Sequence, residues 1–154
     1  MSFARLKAPH IMCGRVMPSV MRHQAVTIHD IRDRVLAFDL IDILRLAGPD
    51  AESSSWRCRN VECTGDLAEE LHRVSDAESS VTGPEMLRLA GGVLQVIDGD
   101  FEAYRPSETR PWLVVRAIDS SEYAVITQDE RLLARVRERF RDVRDSPNDA
   151  AYVA

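Results

Sequence analysis

The residues best suited to do chemistry are the acids of one short segment, where Asp98, Asp100 and Glu102 alternate along the chain. In an extended strand, residues two apart share a face, so these three carboxylates would project together. Tyr104 continues the same alternation. Asp119 and Glu122 belong to an Asp-Ser-Ser-Glu segment with the composition of a type I turn, at the opposite turn of the same region. Two chemistries suit this set. Converging in a cleft, the carboxylates would hold Mg²⁺ or Mn²⁺ for phosphoester hydrolysis. Spread over a surface, with Tyr104 as an aromatic anchor, they would receive a basic protein. The surface reading leads, because no histidine adjoins the acids in sequence and Gly99 can bend the chain between them. No metal and no cofactor is expected.

Other reactive residue types carry less. His10, His23, His29 and His72 have no fixed-spacing partners, and Ser120 and Ser121 read as turn formers. Cys13, Cys58 and Cys63 are too few for a disulfide framework and lack a second Cys/His pair at zinc spacing. They read as buried thiols in a reducing compartment, hence a cytoplasmic protein. Asp39 and Asp42 share a helix face and read as a solvated stripe. Gly91-Gly92 imitates a phosphate-binding turn but follows a helix, the wrong order for an anion at a helix N-terminus. Nothing matches a nucleophile elbow, a phosphate-binding loop or a dinucleotide fingerprint.

The elements that must position the acids come from periodicity and caps. Thr27 opens a helical pattern that runs through Ile28, Ile31, Val35 and Leu36 to Leu46, with a break near 37–39 and a stop at Gly48-Pro49. Trp56 and Cys58 alternate with Arg57 and Arg59, which predicts a half-buried strand near 56–63. Leu67, Leu71 and Val74 mark a short helix after Asp66. Thr82-Gly-Pro-Glu85 is a capping box opening another. A meander follows over 93–127, in which Asp98-Gly99 is either a hairpin turn or a bulge. Thr127-Gln-Asp-Glu130 opens the last helix, whose buried side carries Leu132, Leu133, Val136 and Phe140. The pattern predicts an α+β fold, an antiparallel sheet of about four strands covered by helices mainly on one face.

The chain has 154 residues, which suits one domain. Residues 1–25 hold Arg5, Lys7, Arg15 and Arg22 without an acid and read as a flexible basic tail; 26–147 form the domain, and 148–154 read as frayed. No apolar run approaches the roughly 20 residues of a membrane helix. Net charge is −5, and the body 26–130 is the acidic part, which favours basic partners and makes nucleic acid an unfavoured one. Arg131, Arg135, Arg137, Arg139, Arg141 and Arg144 on the last helix offer the contrary possibility, a nucleic-acid regulator. Lys7 is the sole lysine, a bias that GC-rich bacterial coding produces. In size and acidity the chain is similar to small bacterial inhibitor or immunity proteins. That resemblance is of class only and transfers no residue; the acidic charge of 26–130 and the absence of a catalytic signature point to a non-enzymatic protein-binding module, with Asp98, Asp100, Glu102, Tyr104, Asp119 and Glu122 as its contact residues.

Overall fold

Val26, Thr27 and Ile28 are β-branched in succession, which suits a pleated surface better than a helix. They lie in β1 (Gln24–Ile28), the first element of the computed structural model, which describes residues 22–153. The helix expected from Thr27 is therefore a strand, and β1 starts inside the segment read as a tail; residues 1–21 lie outside the described residues. The chain then makes a tight ribbon, β2 (Ile31–Arg32) and β3 (Val35–Leu36). Its turn residues Asp33 and Arg34 have φ of 53° and 72°, the pair of positive values that a two-residue hairpin turn requires. Only the second half of the predicted helix is helical, as α1 (Leu40–Ala47). Asp39 and Asp42, read as a solvated stripe, instead form its N-terminus, where the Asp39 amide donates to the Asp42 carboxylate at 2.9 Å.

The middle of the chain keeps the predicted strand and its two helices, and adds a short helix at 49–53, where the composition reads as a loop, and a two-residue strand at 81–82. It comprises α2 (Pro49–Ser53), β4 (Ser55–Thr64), α3 (Ala68–Asp76), β5 (Val81–Thr82) and α4 (Gly83–Gly91). Thr82 caps α4, its hydroxyl accepting from the Glu85 amide at 3.3 Å. Gly83 is needed at that start, because a Cβ there would lie 2.0 Å from the Glu52 carbonyl oxygen. The meander is β6 (Gln95–Tyr104), β7 (Leu113–Ile118) and β8 (Glu122–Thr127). β6 is continuous, so Asp98-Gly99 is no hairpin turn; the β4–β6 register shifts between Arg59 and Glu62. The following helix, α5 (Glu130–Arg139), is capped by Asp129, two residues beyond the predicted Thr127. Thr127 stays in the sheet and donates to the Trp112 carbonyl at 2.7 Å.

The sheet has seven strands, all antiparallel, in the order β5-β4-β6-β7-β8-β1-β9, with β9 spanning Val143–Asp145. The expected count of about four omitted β1 and the two short margins. One face carries Val26, Ile28, Trp56, Phe101, Val115 and Val125 against α1, α3, α4 and α5, whose Leu44, Leu71, Leu89 and Val136 complete the main core. Each such aliphatic side chain contributes about 1.5–3 kcal/mol by leaving water. On the opposite face Ala25, Val114 and Ile126 gather around Val153. Val153 ends a one-turn 3-10 helix that follows α6 (Pro147–Ala150), so the segment expected to fray lies on the sheet. Beyond β5, α3 runs along the margin of β4. His72 Nε2 accepts from the Cys63 amide and Ser75 Oγ from the Val61 amide, both at 3.2 Å. No helix among the described residues is long and apolar enough to cross a membrane.

Candidate functional site

The alternation of β6 places Asp100, Glu102 and Tyr104 on one sheet face, the one opposite the main helices. The antiparallel register sets Arg59 opposite Asp100 and Arg57 opposite Glu102 on β4, and Arg116 opposite Asp100 on β7. These arginines consume the acids. Arg116 Nε donates to Asp100 at 2.8 Å, and Arg59 Nη2 to Glu102 at 3.4 Å. Glu102 is only 3% exposed, and its carboxylate also accepts from the Tyr104 hydroxyl at 2.5 Å and the Tyr152 hydroxyl at 3.2 Å. Tyr152 reaches Asp100 as well, at 3.3 Å, while the Arg116 guanidinium lies 4.5 Å from its ring centroid. Burial, then the hydrogen bond to Glu102, pushes the Tyr104 hydroxyl up to about 12. Burial, followed by Asp100 and Glu102, pushes that of Tyr152 up too. The cluster is an internally satisfied network that fastens the end of the chain to the sheet.

The other three predicted residues stand apart from it. Asp98 lies at the bulge and accepts from the Asp119 amide at 2.9 Å, bracing a turn in which Asp119 and Ser120 both have positive φ. That turn is thus not the type I turn of the sequence reading. Glu122 lies 3.5 Å from His29 Nε2. The same nitrogen is 2.8 Å from the Thr27 hydroxyl. A hydroxyl–imidazole–carboxylate relay needs the two ring nitrogens to face different partners, so this trio is not one. Cys63 Sγ lies 3.6 Å from His72 Nε2, but that nitrogen already receives the Cys63 amide. Burial pushes the Cys63 thiol up and, with Glu102 adding to it, the Cys58 thiol up to about 12. Both thiols are held protonated, the opposite of an activated nucleophile. Among the described residues no group of three or more His, Cys, Asp or Glu side chains is placed to hold a metal ion.

What lies open is the β2–β3 ribbon and its two flanks. Ile31 and Val35 are each 56% exposed, and Leu94, just before β6, is 75% exposed. By register Ile31 shares one side of the ribbon with Leu36 and Val35 shares the other with Arg32, so both sides carry exposed apolar surface. Val35, Leu36, Phe38, Leu94, Val96 and Tyr123 line a cavity of about 330 Å³. The Tyr123 hydroxyl is buried and, among the described residues, is the one buried side-chain nitrogen or oxygen without a hydrogen-bond partner. The Leu40 amide is near enough to favour the tyrosinate slightly but does not reach hydrogen-bond geometry with it. Burial first, then Asp39, pushes this hydroxyl well above the ordinary tyrosine range. Sequence periodicity missed this surface because Ile31 and Val35, four apart, imitate a buried helical stripe. The Asp33-Arg34 pair was a faint turn signal that lacked the usual glycine. Comparisons with protein-family models, curated proteins and solved structures gave no match to this chain.

Proposed function

We propose that the protein is a non-enzymatic binding module that docks a protein partner beside the β2–β3 ribbon. One observation carries the reading: exposed Val35 and Leu94 rim a cavity lined by Tyr123, whose buried hydroxyl has no partner. A buried hydroxyl without a partner costs about 1–3 kcal/mol. An incoming side chain that fills the cavity and bonds the hydroxyl recovers that cost while covering apolar surface. Large apolar residues gathered at one place mark interaction surfaces, whereas scattered ones do not. The occupant is a partner residue with an apolar body and a polar tip, of the kind that anchors interfaces.

The reading keeps the binding function expected from the sequence and moves its location. Asp100 and Glu102 face their own arginines, so attraction of a basic partner is a smaller part of the affinity than apolar burial. Binding should therefore change little between low and moderate salt. Peptide display against the immobilised chain tests this. Enriched peptides should share one large amphipathic residue, shift the amide resonances of Val35, Leu94 and Tyr123, and lose binding at least tenfold to V35D/L94D. Peptides that map to Asp98 and Asp119 instead, or bind the double variant equally well, would refute the reading.

A further inference from the structure

The other flank of the ribbon has a different character. His29, Asp30, Ile31, Arg32, Phe38, Arg139, Phe140, Arg141, Asp142 and Arg144 surround a polar pocket of about 800 Å³. That volume lies within the range of small-ligand sites, roughly 300–1,000 Å³. Its construction follows from the end of α5. Phe140 leaves the helix in an extended conformation and buries its ring 4.6 Å from that of Phe38. Arg139 and Arg141 flank that buried ring and both border the pocket, and Arg32 enters from β2.

The acids of the pocket are already engaged. Asp30 accepts from the consecutive amides of Arg141, at 3.0 Å, and Asp142, at 2.7 Å. Asp142 takes a two-pronged ion pair from Arg144, with both contacts at 2.9 Å, which holds the Asp142 carboxyl below its usual range. Arg32, Arg139 and Arg141 make no salt bridge to any described residue; the Arg139 guanidinium lies over the Phe140 ring at 5.2 Å. Four arginines therefore face two carboxylates across one concavity, and three of the guanidinium groups have no ion-pair partner among the described residues, in a chain whose net charge is −5. Planar arginine forks match the tetrahedral oxygens of phosphate in pairs, and three of them exceed what one carboxylate neutralises. Phe38 and Ile31 add apolar wall for an organic portion.

We infer that this pocket is a binding site for a small phosphate-bearing ligand, held by Arg32, Arg139 and Arg141. The site stands independently of the docking cavity, with which it shares only Phe38. The test uses the full chain labelled with ¹⁵N and inorganic pyrophosphate as probe, at constant ionic strength. Pyrophosphate should give saturable shifts of the Nε–Hε resonances of the three arginines. R32Q/R141Q should weaken binding at least tenfold, while R131Q, outside the pocket, should leave it unchanged; amide spectra of each variant confirm folding. R139Q alone, which removes no internal ion pair, serves if the double variant fails to fold and should weaken binding several-fold. Shifts that rise without saturating, that are equal at remote Arg57 and Arg73, or that survive the pocket substitutions would overturn the site.

Discussion

Replacing Glu102 by alanine tests whether the sheet-face network is as closed as its distances imply. The side chain removed is 4% exposed and accepts from Tyr104, Tyr152 and Arg59. Removing one partner of a fully buried ion pair costs about 3–5 kcal/mol. That figure is too high here, because the Arg59 side chain is 48% exposed and water can replace its bond. Losing two hydroxyl bonds to a charged acceptor is the larger effect, at about 1.5–3 kcal/mol each before rehydration. Tyr152 lies near the surface and recovers much of its share, and alanine removes the cost of burying a charge. The expected net loss is about 2 kcal/mol, which for a domain of this size lowers Tm by roughly 6–10 °C. Urea denaturation followed by the fluorescence of buried Trp56 and Trp112 measures it, with an unchanged m-value. Glu102→Gln keeps an acceptor and should lose about half as much. Combining Glu102→Ala with Tyr152→Phe should give less than the sum of the two. An alanine variant within about 0.5 kcal/mol of the parent would show that the carboxylate is not the acceptor these hydroxyls depend on.

Two further outcomes follow from backbone and titration chemistry. The double substitution D33N/R34G supplies the residue pair that favours positive φ at both turn positions, so it should stabilise the chain by about 0.5–1 kcal/mol in the same urea assay; no gain would mean the ribbon turn is not in that conformation. All three tyrosines of the chain, Tyr104, Tyr123 and Tyr152, have hydroxyls pushed up from the ordinary value. The folded state then holds more protons than the unfolded one above pH 10, so stability is full below pH 10 and falls as pH rises toward 12 and beyond. Tyrosinate absorbance should lag a denatured control at pH 10.5 and appear together with alkaline unfolding, whereas a normally titrating fraction in the native protein would contradict this packing.

How much was legible in the sequence depended on whether the signal was local. The Thr82 cap, the alternation of Trp56 and Cys58 with Arg57 and Arg59, and the meander strands are written within a few residues, and they stand as read. β1 is defined by neighbours about a hundred residues away, and its apolar residues satisfied a helical period together with Ile31 and Val35. The shared face of Asp100, Glu102 and Tyr104 was legible from the two-residue repeat. That Arg59 and Arg116 neutralise them was not, because strand register depends on the pairing of β4 and β7 with β6 and on the extra β4 residue between Arg59 and Glu62. Tyr152, in a short segment that follows Ser146-Pro147 and reads as frayed, completes the network only through long-range packing of Val153.

The contacts that α3 makes with the flank of β4 have a consequence for assembly. A sheet grows by offering free amides to another backbone, and here two of them, at Val61 and Cys63, are already answered by a hydroxyl and an imidazole respectively. At the opposite margin β9 offers only three residues, Val143–Asp145, two of them charged. Neither border gives a second chain a long template to zip onto, which disfavours fibril-like stacking even though the interior is rich in strand.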